Sequence, residues 1–86
     1  MEVLSSADQA QRILAESFEA SRTQVDDLWM AYFALGGNAG KYEVELYLRG
    51  MGALSAYEHN VLAQAVNERL AELPPLPRAP YRLLDV

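Results

Sequence analysis

One amphipathic stretch, residues 25–35 with the sequence V-D-D-L-W-M-A-Y-F-A-L, constrains this chain more than any other feature. Its large apolar residues recur at the spacing i, i+3, i+4, i+7 and i+8, which places them along one side of a helix. They are Val25, Leu28, Trp29, Tyr32 and Phe33. Because large aromatic side chains bury the most area per residue, we predict that this helix forms the centre of the core with its rings facing inward.

Three further helices are predicted from apolar periodicity and helix-ending residues, and nothing in the chain alternates with the period of a β-strand. They cover residues 5–20, 41–50 and 56–73. Gly36 and Gly37 end the central helix, since glycine readily adopts the left-handed conformation that closes a helix. The sequence therefore predicts a compact all-α domain of four helices.

Capping patterns support three of these helix starts. Ser5-x-x-Asp8 and Ser6-x-x-Gln9 both offer a cap at the start of the first helix, and the second fits a capping box. Ser21-x-x-Gln24 precedes the second helix, and Ser55-x-x-Glu58 is the clearest capping box and opens the fourth. We predict that Arg69 lies at the edge of the core on the apolar side of the fourth helix. Its head group is expected in water, or paired across to the third helix.

The last thirteen residues, 74–86, differ from the rest in composition. Four prolines within seven residues favour an extended path, and Tyr81, Leu83 and Leu84 follow them. We therefore divide the chain into a helical domain, residues 1–73, and an extended C-terminal arm. Whether this arm docks on its own helices or on a partner is open.

Composition narrows the classes of function. The chain has 86 residues, no cysteine and a formal net charge of −5. A small acidic domain without thiols forms no disulfide, and its charge weighs against binding nucleic acid. No apolar run is long enough to span a membrane, and the N-terminus lacks the pattern of a secretory signal, so we expect a cytoplasmic protein.

Candidate catalytic residues are few. His59 is the single histidine, and no nucleophile or orienting acid can be placed beside it from the sequence. Glu43 and Glu45 are two positions apart on a helix and do not face each other. We predict no enzymatic activity, no cofactor and no metal site.

The main alternative is a helix-turn-helix regulator that binds DNA. The third and fourth predicted helices flank a short turn containing Gly50 and Gly52, which is the arrangement of that motif. In that motif the start of the fourth predicted helix would read the bases. Its residues 55–60 contain a glutamate and a histidine but neither lysine nor arginine. DNA binding is the weaker hypothesis for that reason.

A resemblance is carried by three short segments, L-W-M-A-Y-F-A-L-G-G (28–37), E-L-Y-L-R-G (45–50) and A-V-N-E-R-L (65–70). In these aromatic, glycine and helix-end positions the chain resembles short uncharacterised all-α proteins of actinobacteria, over about residues 25–73. The resemblance implies a helical fold and a bacterial regulatory setting. It implies no activity, ligand or site residue.

The sequence holds more large apolar side chains than so small a core needs. We therefore expect a non-enzymatic protein–protein interaction or regulatory module that self-associates as a homodimer, because surplus bulky apolar residues mark interfaces. The predicted interface residues are Trp29, Tyr32, Tyr42, Tyr47, Arg69, Tyr81, Leu83 and Leu84.

Overall fold

The computed structural model describes residues 6–73 and contains four α-helices within that range. They are α1 (Ser6–Ser21), α2 (Val25–Ala34), α3 (Lys41–Leu48) and α4 (Ala56–Glu72). The predicted all-α class and all four helices are confirmed, with α3 ending two residues before the predicted Gly50. The boundary predicted between residues 73 and 74, and the arm itself, lie outside what the structure describes.

The helices form two layers, with α1 and α2 in one and α3 and α4 in the other. α4 packs against both α1 and α2, and α3 packs against the same two helices. Side chains from all four helices meet in one apolar core. Its buried members are Leu14, Leu28, Tyr32, Val44, Tyr47, Leu48, Val61, Leu62, Ala65 and Val66.

The start of α4 follows the predicted cap only in part. The Ser55 side chain accepts a hydrogen bond from the Glu58 backbone N–H at 3.2 Å, as a capping residue does. In a complete capping box the Glu58 carboxylate would return to the Ser55 backbone. It instead contacts the loop after α2, because that loop offers partners brought close by the tertiary fold.

The predicted Ser21 cap of α2 is wrong. Ser21 is the buried last residue of α1, its hydroxyl donates to the Phe18 carbonyl at 2.6 Å, and the N-cap of α2 is Gln24. The turn is tight because Arg22 adopts a positive φ of 56°, the left-handed conformation that often ends a helix. Arginine tolerates this conformation less well than glycine does.

The predicted inward face of α2 needs a correction at Phe33. Leu28 and Tyr32 have no exposed surface, and Val25 and Trp29 are half-buried, but Phe33 is 57% exposed. Consecutive helix residues are separated by about 100° around the axis, so Phe33 lies well away from the direction that Tyr32 takes. The apolar stripe is therefore wider than the arc that the core covers.

Candidate functional site

A polar cluster joins the end of α2 to the start of α4. The Tyr32 hydroxyl donates to the Glu58 carboxylate, and it accepts a hydrogen bond from the Ala39 backbone N–H at 2.8 Å. The same carboxylate oxygen accepts from the Asn38 N–H at 2.9 Å. We call these four residues the Tyr32 cluster. It fixes the loop between α2 and α3 against α4.

The contacts in the Tyr32 cluster shift both titratable groups. Hydrogen bonds from Tyr32 and from the Asn38 backbone stabilise the charged form of Glu58 and lower the pKa of its carboxyl. Burial, followed by the neighbouring Glu58 carboxylate, raises the pKa of Tyr32 to about 12. Near neutral pH the cluster therefore holds an ionised carboxylate and a neutral phenol.

Gly37 completes this packing from the backbone side. A Cβ atom at residue 37 would overlap the Tyr32 ring, far inside van der Waals contact. The ring therefore lies directly on the backbone of the loop. Gly37 is therefore a packing residue, whereas Gly36, with a positive φ of 103°, is the glycine that ends the helix.

A second polar contact links α3 to α4. The Tyr47 hydroxyl lies 2.6 Å from Nδ1 of His59, and the two rings meet edge to face. Burial lowers the pKa of His59 and raises that of Tyr47. From α1, the Gln11 amide donates to the Tyr47 carbonyl at 3.0 Å, so Tyr47 is bound by its side chain and by its backbone.

His59 also lines a shallow groove between α1 and α4. The groove has an apolar floor and small side chains along it. Its lining residues are Ala10, Ile13, Leu14, Ser17, His59, Ala63 and Asn67. No acid is among them to orient the imidazole, and residues 6–73 contain no cluster of three or more metal-ligating side chains.

The solvent-facing side of α2 presents large apolar side chains. Met30 and Phe33 are 60% and 57% exposed and lie one turn apart. We define the outer face of α2 by its exposed residues, which are Asp26, Asp27, Met30, Phe33 and Ala34. It is a short apolar surface with two carboxylates at its N-terminal end.

Trp29 borders the outer face and supports it. The indole ring stacks on Phe33 with centroids 5.4 Å apart, and its N–H donates to the Ala39 carbonyl at 3.0 Å. Asp26 pairs with Lys41 of α3 at 3.0 Å beside it. These contacts hold the exposed phenyl ring on an ordered base, although the ring itself faces solvent.

The predicted interface residues fall into three groups. Tyr32 and Tyr47 are core residues of the single chain, so their rings are closed to a partner in this fold. Trp29 is half-buried, and Tyr42 is 71% exposed on α3. Tyr81, Leu83 and Leu84 lie outside the described residues.

Arg69 is half-buried, as predicted for a residue at the edge of the core. Its guanidinium lies 3.3 Å from the Glu72 carboxylate, one turn along the same helix. A pair with Glu43 or Glu45 is not formed. The alternative that this arginine sets how α3 and α4 meet is therefore wrong, because its partner lies within α4.

Sequence reasoning missed Met30 and misplaced Phe33. Both lie in the most apolar stretch of the chain, which holds more large apolar residues than one buried helix face can take up. That excess was a signal that some of them remain at the surface. Periodicity marked Phe33 as part of the stripe. To tell the exposed Phe33 from the buried Tyr32, one must know which side of α2 the other helices cover.

Comparison with known proteins adds no assignment. No protein-family model matches the chain, and neither a curated protein nor a solved structure matches it. The resemblance to actinobacterial proteins stays a prediction. None of the four described helices combines the length and apolar character needed to cross a membrane.

Proposed function

We propose that this protein is a small non-enzymatic interaction module that self-associates through the outer face of α2. The observation that carries the proposal is the adjacent exposure of Met30 and Phe33 on one side of a helix whose other side carries the fully buried Leu28 and Tyr32. Large apolar side chains grouped on a surface mark contact sites, whereas single ones are ordinary.

The energetic argument concerns the apolar area. Fully burying an exposed large apolar side chain contributes roughly 1.5–3 kcal/mol. Met30 and Phe33, which are 60% and 57% exposed, retain more than half of that gain for a contact between two copies. Phe33 is already stacked on Trp29, so little side-chain freedom is lost when it is covered. Aromatic residues held in this way are typical anchors of an interface.

The charges around the outer face have the arrangement of an interface rim. The Asp26–Lys41 pair lies at one border, with both side chains largely exposed. Polar rims around an apolar centre are common in protein interfaces. They align the two partners more than they add affinity.

The test is the molar mass in solution across a concentration series, measured by light scattering and sedimentation equilibrium. We expect the wild-type protein to form a dimer and Phe33→Ser to shift the equilibrium towards monomer. Ile13→Ser is the matched control, because Ile13 is exposed to a similar degree on α1, away from the outer face. A wild-type monomer at high micromolar concentration would contradict the proposal, as would equal weakening by the two variants.

The helix-turn-helix hypothesis has no comparable support. The first turn of α4, which would read the bases, carries a Glu58 carboxylate that is bound to the Asn38 N–H, and residues 55–60 contain no lysine or arginine. A gel shift with duplex DNA at low salt tests this alternative. A retarded species that disappears as salt is added would favour DNA binding over self-association.

A further inference from the structure

Tyr57 places an exposed aromatic ring at the C-terminal end of α2. It belongs to the first turn of α4 and is 58% exposed. A Cβ atom on Gly36 would lie 3.5 Å from its hydroxyl oxygen, so the phenol lies beside the residue that ends α2. The Tyr57 hydroxyl takes part in no hydrogen bond among residues 6–73. A hydrogen-bond donor is therefore available at this end of the helix that presents Met30 and Phe33.

The opposite end of α2 carries a hydrogen-bond acceptor. Asp26 and Asp27 both lie exposed in the first turn of the helix. Asp26 pairs with Lys41, whereas Asp27 forms no ion pair with any residue in the range 6–73. The outer face of α2 therefore has a carboxylate acceptor at one end and a phenol donor beside the other.

Symmetry and charge restrict how two outer faces can meet. Two copies that use the same surface are related by a two-fold axis, so each contact occurs twice. A parallel arrangement of the two α2 helices would bring the Asp26 and Asp27 carboxylates of both copies together, and like charges repel. In an antiparallel arrangement each acidic first turn faces the C-terminal end of the other α2. Charge therefore favours the antiparallel arrangement.

The exposed apolar pair sets the register of the two helices. With the two-fold axis between Met30 and Phe33, Met30 of each copy packs on Phe33 of the other copy. Asp27 then lies between four and five residues from the axis on one side, and Gly36 lies equally far on the other side. Asp27 of one copy consequently meets Gly36 of the other copy, where the Tyr57 hydroxyl lies.

Glu58 does not oppose this contact. It follows Tyr57 in sequence and therefore points about 100° further around α4. Its carboxylate already accepts hydrogen bonds from the Tyr32 hydroxyl and the Asn38 N–H. Tyr32 faces the core, on the side of α2 away from the outer face. An aspartate that approaches Tyr57 from solvent therefore meets the hydroxyl.

We propose that the protein dimerises with its two α2 helices antiparallel, and that Tyr57 of each copy donates a hydrogen bond to Asp27 of the other copy. The inference rests on the proposed function and deepens it, because it gives the outer face a defined orientation and adds a contact residue from α4. The bond lies at the border of the apolar centre. It therefore selects the orientation of the two copies more than it adds affinity.

Conservative removal of the donor tests the bond, with dimerisation of the full chain measured by sedimentation equilibrium. Tyr57→Phe keeps the ring and removes the hydroxyl. We expect the dimer dissociation constant to rise about tenfold, since each dimer loses two bonds and each bond is worth about threefold. Tyr42→Phe is the matched control, because Tyr42 is 71% exposed on α3, and it should leave the dissociation constant unchanged.

Removal of the acceptor separates the two orientations by the sign of its effect. Asp27→Ala should weaken an antiparallel dimer by about tenfold, as loss of the same two bonds does, whereas it should strengthen a parallel dimer by removing a repulsion. Glu16→Ala makes the same change of net charge at an exposed residue of α1 and should not weaken the dimer. Asp27→Ala/Tyr57→Phe should lose no more than either single variant, because both substitutions remove one shared bond.

Disulfide cross-linking measures the orientation directly, since the chain contains no cysteine. In the antiparallel dimer the two copies of position 27 are about 13 Å apart along the helix, too far for a disulfide. Oxidation of an equimolar mixture of Asp27→Cys and Tyr57→Cys should therefore give a heterodimer joined between positions 27 and 57. Asp27→Cys alone should stay unlinked. Mass spectrometry identifies the products, and circular dichroism establishes that every variant remains helical.

Three outcomes overturn the inference and leave self-association standing. A tighter dimer in Asp27→Ala, or a covalent dimer of Asp27→Cys alone, means that the helices are parallel. Equal dissociation constants for Tyr57→Phe and Tyr42→Phe mean that Tyr57 lies outside the contact. A wild-type monomer, or a dimer unaffected by Phe33→Ser, is a different result, because it removes the proposed function together with the inference.

Discussion

Tyr32 and Phe33 are adjacent in the chain and belong to opposite environments. The Tyr32 side chain is 0% exposed, lies on the Gly37 backbone and binds Glu58, whereas Phe33 is more than half exposed and contacts Trp29. A rotation of about 100° around one helix separates them. The comparison teaches that one helix buries one ring to stabilise the fold and leaves the next ring at the surface, where we propose that it binds a second copy.

Replacing Tyr32 with alanine should produce the largest effect. The substitution removes a buried ring and leaves the Glu58 carboxylate and the Ala39 N–H without their shared partner. Truncating a buried aromatic costs about 3–5 kcal/mol, which is comparable to the whole stability of so small a domain. Thermal and urea unfolding followed by circular dichroism measure it, and a melting temperature near the wild-type value would contradict the assignment of Tyr32 to the core.

Gly37→Ala should destabilise the fold next most strongly. The added methyl overlaps the Tyr32 ring, so either the ring or the loop must move, which typically costs about 1–3 kcal/mol. Gly40→Ala is the control, because a Cβ there meets only the flexible end of Glu43, at 3.3 Å. Urea midpoints compare the two, and a similar loss in both would contradict the specific packing of Gly37 on Tyr32.

Stability should fall in acid partly through Glu58. The pKa of Glu58 is lowered in the folded protein, so as the pH falls the folded state takes up this proton at a lower pH than the unfolded state does. The stabilisation is present above the ordinary pKa of 4.5 and is lost as pH falls through the lower folded value. Urea midpoints from pH 7 to pH 3 should decline less steeply in Glu58→Gln than in Glu19→Gln, an exposed carboxylate on α1. Parallel declines in the two variants would mean that Glu58 does not contribute.

Phe33→Ser should have the smallest effect on stability. The ring is already exposed and its described aromatic contact is the stack on Trp29, so the expected loss is about 0.5–1 kcal/mol. Differential scanning calorimetry of a dilute monomeric sample gives this value without a contribution from dimers. A loss as large as that of Tyr32→Ala would remove the distinction between the two rings.

The helices were largely predictable from the sequence, and the polar contacts between them were not. Ser55, the glycines after α2 and the period of the apolar residues are local signals, and each predicted a helix boundary within about two residues, the usual uncertainty of such boundaries. The bond from Tyr32 to Glu58 joins residues 26 positions apart. Local patterns assigned Glu58 to a capping box because they contain no information about the loop that approaches it.

The sequence indicated that an exposed apolar surface exists, but it did not indicate which residues form the outer face. An excess of bulky apolar residues indicated that some would remain on the surface. Which ones depends on where α3 and α4 contact α2, and this is a property of the assembled fold. Ser21 is a similar case, since its pattern with Gln24 fits a cap and its burial at the end of α1 gives the hydroxyl a different partner.

The packing of the Tyr32 ring on Gly37 has a consequence for recognition. The last turn of α2, the following loop and the first turn of α4 are joined into a single rigid support behind the outer face. Under the proposed self-association, a second copy that approaches this supported surface would need little rearrangement of it, so association would lose little free energy to ordering. Gly37→Ala, which disturbs the packing on the opposite side of α2, would thus weaken binding at the outer face without touching it.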